Sequence, residues 1–167
     1  CSGVQNPMET IIVGSSAQLS GYGKRMFDVL ACREHEMARL GLTRASVLLE
    51  PAHGNSVPTA VRFLYSSPSG IEVQFLVGDD RGWLHVEVSN PTLPQTGFEV
   101  VPGRFSLASY LIAKGRHADN ADLFTLSGER LEEGVDFSLA LLRNDLAEVI
   151  AGRDWPAVPD EILQAHR

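Results

Sequence analysis

Apolar residues return at every second position between Ser46 and Ser89, and this alternation constrains the fold more than any other feature of the chain. It is clearest in Gly70–Gly78 and in Trp83–Ser89. Successive side chains of a strand point to opposite faces, so the pattern predicts a sheet with one apolar and one largely polar face. Such a sheet is typically antiparallel and covered on one side.

Short turns separate the predicted strands, which makes neighbouring strands antiparallel and predicts a meander. Phe98–Val101 is a candidate fifth strand at the edge, and Thr10–Gly14 is either a short strand or part of a helix. The four main predicted strands are Ser46–Glu50, Thr59–Ser66, Gly70–Gly78 and Trp83–Ser89.

Helices are predicted on both sides of the strand region, from apolar residues that recur with helical spacing. Gly41 is placed to end the first helix, while Ser106 and Asp136 are placed to cap the second and third. The predicted helices are Met26–Leu40, Leu107–Lys114, Phe137–Ala151 and a short one beginning at Pro159. We therefore expect a single α+β domain over residues 1–167, with a loose segment 1–10. This domain would consist of an N-terminal helix, a four- to five-stranded antiparallel meander, and C-terminal helices packed on one face of the sheet.

The chain of 167 residues is acidic, with a formal net charge of -7. Nucleic acids and anionic membranes both attract positive surfaces, so neither is expected as a partner. No segment is long and apolar enough to predict membrane insertion. The charge favours a basic protein partner, and nothing in the sequence predicts an oligomeric state.

The cysteines and histidines show no metal-ligand spacing, so neither a metal site nor a cofactor is predicted. Cys32 is expected to be a small buried residue of the first helix. A reducing, cytoplasmic location is the default expectation. The alternative is a lipid-anchored protein whose mature N-terminus is Cys1, or else Cys1 is the remnant of a truncation ahead of Met8.

No nucleophile motif points to catalysis, so we do not expect an enzyme. His53 lies in a predicted loop, and His117 and Asp119 lie together in an irregular segment. These three residues form the alternative hypothesis: a small-molecule-binding protein or small enzyme with its pocket between sheet and helices.

The polar face of the predicted sheet is the main candidate site. The alternation places Trp83, His85 and Glu87 in a row, with Glu72 and Gln74 beside them and Arg62 on the strand beyond. Tryptophan and arginine are favoured at protein interfaces, so these six residues are predicted to contact a protein partner. The alternative is that a C-terminal helix or the loop 90–97 covers Trp83.

The segment Leu141–Pro156 carries an amphipathic helix that ends in Ala-Gly, followed by charged residues and a tryptophan. It resembles the C-terminal part of some small immunity proteins of bacterial polymorphic-toxin systems. The order of helix, meander and helices is similar too. The resemblance implies a non-enzymatic protein that binds a cognate toxin and blocks its active site. A secretion chaperone that holds an effector is a close variant. The resemblance assigns no functional residues.

Overall fold

The antiparallel sheet and the helices predicted from the sequence are both present. Within the described residues the chain forms one sheet and five α-helices, so the predicted α+β class is confirmed. The predicted loose segment 1–10, edge strand Phe98–Val101 and helix from Pro159 lie outside those residues. The computed structural model describes residues 11–50, 60–78, 83–93, 103–116 and 129–155.

The strands follow one another across the sheet in chain order, and each pairs antiparallel with the next, which confirms the meander. The sheet has six strands instead of four or five. β1 lies within Thr10–Gly14 and confirms the strand alternative for that segment, while β6 is additional and has three residues, too few to show an alternation. The strands are β1 Ile11–Ile12, β2 Thr43–Glu50, β3 Ala60–Ser66, β4 Glu72–Gly78, β5 Leu84–Ser89 and β6 Arg104–Ser106.

One face of the sheet, here called the inner face, forms the core. Phe63, Val73 and Phe75 on this face have no exposed surface. The buried hydrophobic side chains of every described α-helix belong to the same hydrophobic cluster as these side chains. The prediction that the helices pack on one face is therefore confirmed, and burial of this apolar surface is the main source of stability.

The predicted helix Met26–Leu40 is two helices, α1 (Gly21–Cys32) and α2 (Glu34–Arg39). They meet at Arg33, whose backbone leaves the helical region with φ -108° and ψ 6°. Gly41 ends α2 as predicted, with φ +80°, a conformation that favours glycine. The prediction for Cys32 is wrong: its side chain is exposed at the end of α1.

The helices after the sheet are α3 (Leu107–Ala113), α4 (Leu131–Asn144) and α5 (Ala147–Ile150). Ser106 caps α3 as predicted, because its hydroxyl accepts a hydrogen bond from the Ser109 backbone at 3.0 Å. The predicted helix Phe137–Ala151 instead begins earlier and divides before α5. None of the helices in the described part of the chain combines the length and the apolar character needed to cross a bilayer.

Asp136 is not a helix cap, because it lies within α4 and forms an ion pair with Arg33. Arg33 Nε donates to Asp136 Oδ1 at 2.7 Å, and its Nη2 donates to Glu132 Oε1 at 2.7 Å. The fixed fork of a guanidinium suits two carboxylates one helical turn apart. Arg33 therefore joins the junction of α1 and α2 to the first half of α4.

Candidate functional site

The candidate site is the outer face of the sheet, which points away from the helices. The strand register places its side chains in rows, so that Leu76 lies between Arg62 on β3 and His85 on β5. In the next row Gln74 lies between Leu64 and Glu87. We define the outer face by Ile12, Ser46, Leu48, Glu50, Arg62, Leu64, Glu72, Gln74, Leu76, Trp83, His85, Glu87, Arg104 and Ser106.

All six residues predicted to contact a partner lie on this face. Five of them project from β3, β4 or β5, and the sixth, Trp83, immediately precedes β5. They are half-buried, as expected for side chains that are flanked by neighbouring strands and that no layer of the described residues covers. The structure therefore brings together residues from a segment of some 25 positions in a single surface.

The Trp83 indole lies against β4 at Gly78. A Cβ built on Gly78 would be 2.6 Å from Trp83 Cδ1 and closer still to Nε1 and Cε2. Glycine is therefore required at this position to admit the ring, which lies directly over the Gly78 Cα. The described apolar side chains that pack against the core do not include Trp83. The part of the loop 90–97 beyond Leu93 lies outside the described residues, so the alternative that it covers Trp83 stays open.

Arg62 links three strands across the outer face. Its Nε donates to Glu50 Oε1 on β2 at 2.6 Å, and its Nη1 donates to Gln74 Oε1 on β4. Both partners come from strands adjacent to its own, so the guanidinium is held in a fixed position. It also neutralises Glu50, so Glu72, Glu87 and Arg104 carry the remaining formal charges of the face.

His85 and Glu87 lie two residues apart on β5 and therefore on the same face. His85 Nε2 is 3.0 Å from Glu87 Oε1. Burial raises the pKa of Glu87 more than any other single cause, because it disfavours the charged form. The hydrogen bond and charge of His85, with Arg104 and Arg62 nearby, outweigh it and hold the pKa below its ordinary value of 4.5.

We expect Glu87→Gln to make the free energy of unfolding less dependent on pH in the acid range. A depressed pKa in the folded state gives stability that is present above the unfolded pKa and lost as pH falls through the folded one. The difference in unfolding free energy between wild type and variant should therefore shrink as pH falls from about 6 to about 3. Urea unfolding at a series of pH values measures it.

A His85→Phe background provides the control for this prediction. Without its hydrogen-bond partner, Glu87 keeps the effect of burial and the opposing charges of Arg104 and Arg62, so the pH dependence of the difference should become smaller. In the protein that keeps His85, the difference in unfolding free energy between wild type and Glu87→Gln should change with pH. A difference that stays constant across the acid range there would contradict the assigned role of the pair.

Two polar groups of the outer face, the Glu72 carboxylate and Arg104 Nε, have no hydrogen-bond or ion-pair partner among the described residues. Glu72 forms no ion pair with another described residue, and Arg104 Nε is buried without a hydrogen bond to any described group. A buried donor without an acceptor costs about 1 to 3 kcal/mol. Glu72 and Arg104 lie in one row, separated by Ser89. At this corner the Glu72 carboxylate can therefore accept a hydrogen bond from a bound molecule.

The sequence did not identify Arg104, because a three-residue strand gives too short a pattern to assign its faces. The alternative pocket residues His53, His117 and Asp119 lie outside the described residues. Over the described ranges, no group of three or more histidine, cysteine, aspartate or glutamate side chains could hold a metal ion.

Comparison of the chain with protein-family models, with curated proteins and with solved structures gives no match. The function proposed below therefore rests on the outer face, its side chains and their contacts.

Proposed function

We propose that the protein is a non-enzymatic binding domain that holds or neutralises a partner protein through its outer face. The observation that carries this proposal is a set of large apolar side chains on that face which do not pack against the core. Ile12 is 73% exposed and lies beside Leu48, while Arg62 separates Leu48 from Leu76 in the same row. Apolar side chains grouped around a fixed arginine on a sheet face are a common sign of a protein interface.

The charge of the protein favours a basic partner. The whole chain carries a net charge of -7, and Glu72 on the outer face has no cation paired with it among the described residues. Complementary charge steers the encounter and raises the association rate, while the apolar centre supplies most of the affinity. A basic toxin or effector protein has the required chemistry.

The outer face is preorganised, which also favours binding of a folded partner. Arg62 is fixed by Glu50 and Gln74, and Trp83 is held against Gly78. Fixed side chains lose little conformational entropy when a partner docks on them. We propose that binding takes place in the cytoplasm. Covering the active site of a toxin, as an immunity protein does, or holding an effector before secretion would each use such a surface.

Capture of the partner from the native host tests the proposal. The tagged protein is used as bait at low and at high salt, and bound proteins are identified and quantified by mass spectrometry. We expect one stoichiometric basic protein, retained less at high salt because part of the attraction is between exposed charges. Absence of a stoichiometric protein at low salt would overturn the proposal.

Two matched variants locate the interface. Leu64→Arg places a charge in the centre of the outer face and should reduce capture at least about tenfold. Ile112→Arg also replaces an aliphatic side chain by arginine, but on α3, which packs on the opposite side of the sheet. Ile112 is 44% exposed, and this variant should leave capture unchanged. The opposite result, loss of capture with Ile112→Arg and retention with Leu64→Arg, would place the interface on the helical side.

A third variant tests the role of charge. Glu72→Lys should lower the association rate with the partner and reduce the dependence of that rate on salt.

A further inference from the structure

A cavity of about 540 Å³ opens on the other side of the sheet, between α1, α2 and the first residues of β2. This volume is within the range of small-molecule sites, which measure about 300 to 1,000 Å³. Ala31, Met37 and Leu42 give it an apolar lining, and Tyr65, Arg44 and Glu34 bring polar groups to its wall. His35 and Thr43 also line the cavity, so its wall is about equally polar and apolar, which suits a small polar ligand with an apolar part.

Tyr65 and Arg44 both line this cavity, and both side chains carry hydrogen-bond donors. They are direct cross-strand partners on β3 and β2. Tyr65 is 1% exposed, and its hydroxyl is buried without a hydrogen-bond partner among the described residues. Burial raises the pKa of Tyr65 to about 12, so the hydroxyl keeps its proton at neutral pH and can donate it.

Within the described residues, nothing occupies the N–H donors of Arg44, so they can bind an anion. Its guanidinium carbon lies 4.9 Å from the centre of the Phe27 ring, a cation–π contact that positions the group without using its N–H donors. Arg44 has neither an ion pair nor a hydrogen bond with another described residue. A guanidinium beside a phenol hydroxyl presents several donors in a plane, which matches a carboxylate.

Glu34 introduces the opposite charge into the same cavity. Glu34 begins α2, and its carboxylate is near enough to the Tyr65 hydroxyl to raise the pKa of that group, whereas Arg44 lowers it. A dianion such as phosphate would be repelled by Glu34 while gaining one arginine. A molecule that carries both a carboxylate and an ammonium group would satisfy both ends.

We propose that this cavity binds a free amino acid, with its carboxylate on Arg44 and Tyr65, its ammonium group on Glu34, and its side chain on the apolar lining. The site lies on the helical side of the sheet and uses none of the outer-face residues. It is therefore independent of protein binding at that face, and one can fail without the other.

Calorimetric titration of the purified full chain with amino acids tests the proposal. Leucine is the first probe because its side chain suits an apolar lining, and the other common amino acids follow. The matched probes are 4-methylpentanoate, which lacks the ammonium group, and 3-methylbutylamine, which lacks the carboxylate. We expect an amino acid to bind, and for leucine we expect each matched probe to bind at least about tenfold more weakly. The proposal is overturned if no amino acid binds up to about 10 mM, or if a matched probe binds as well as leucine.

Three variants assign the contacts, and the readout is the affinity for the amino acid that binds most tightly. Tyr65→Phe removes one oxygen atom and should weaken binding about tenfold. The free protein should not lose stability, because its hydroxyl has no described partner to lose. Arg44→Gln should weaken binding at least as much, and Glu34→Gln should remove the preference for the amino acid over its matched carboxylate.

Arg39→Gln is the control, since Arg39 is an exposed arginine of α2 outside the cavity wall, and its affinity should equal that of wild type. Unchanged affinity in a folded Tyr65→Phe protein together with unchanged affinity in a folded Arg44→Gln protein would place the amino acid elsewhere and overturn the assignment. Chemical shifts of the amides of α2 and of the start of β2, followed during the titration, check the location without any substitution.

Discussion

Leu84→Ala is expected to lower the free energy of unfolding by about 2 to 5 kcal/mol, the range for a large-to-small substitution in a packed core. Leu84 is the first residue of β5, points into the core and is 1% exposed. Truncation removes apolar burial and leaves a cavity that neighbouring inner-face side chains fill only in part. Urea unfolding followed by circular dichroism measures the change.

Leu76→Ala is the matched control, because it makes the same chemical change on the opposite face of the adjacent strand. Leu76 pairs with His85, the residue next to Leu84, and is half-buried on the outer face. Its truncation should cost about 1 kcal/mol or less. Equal losses for the two variants would contradict the assignment of an inner and an outer face, which underlies the proposed binding surface.

Gly78→Ala is expected to destabilise the protein by about 1 to 3 kcal/mol, because one added methyl group would overlap the Trp83 indole. The backbone of β4 cannot withdraw, since it is paired on both sides with β3 and β5. The indole must therefore leave its place on the strand. We expect a red shift of Trp83 fluorescence, recorded with Trp155→Phe in both proteins, and weaker capture of the partner.

Gly14→Ala is a suitable control for the glycine substitution. A Cβ at Gly14 would meet Gln18 Oε1 at 3.4 Å, an ordinary contact distance, so stability and fluorescence should change little. A Gly78→Ala protein with wild-type stability and an unshifted Trp83 emission would show that the ring does not rest on β4.

The alternation of apolar residues was sufficient to predict the central sheet and both of its faces. The alternation of Val73, Phe75 and Val77 with polar residues is directly visible in the sequence, and the structure buries these three side chains. The same alternation placed the six candidate contact residues on one surface. The break at Arg33 was not predictable in this way. The apolar stripe of the helix continues through that position, and the ion pairs that hold Arg33 come from α4, about a hundred residues later.

The cavity was hidden from the sequence for a different reason. Arg44 lies on the same face as Tyr65 because the register of β2 shifts between Arg44 and Ser46. A bulge of this kind adds a residue and reverses the alternation for all positions before it. Strict alternation from Ser46 backwards would have placed Arg44 on the outer face, and the pairing of the two donors depends on the three-dimensional register.

The chain-order arrangement of the strands has a consequence for the newborn protein. Each hairpin can close as soon as its second strand leaves the ribosome, because its partner has just preceded it. The inner face, however, needs α4, which is made after the last strand of the sheet. The apolar inner face therefore stays partly exposed during translation until residue 144 has emerged from the ribosome. Slow elongation between β6 and α4 would prolong this exposure and favour aggregation or binding by general chaperones.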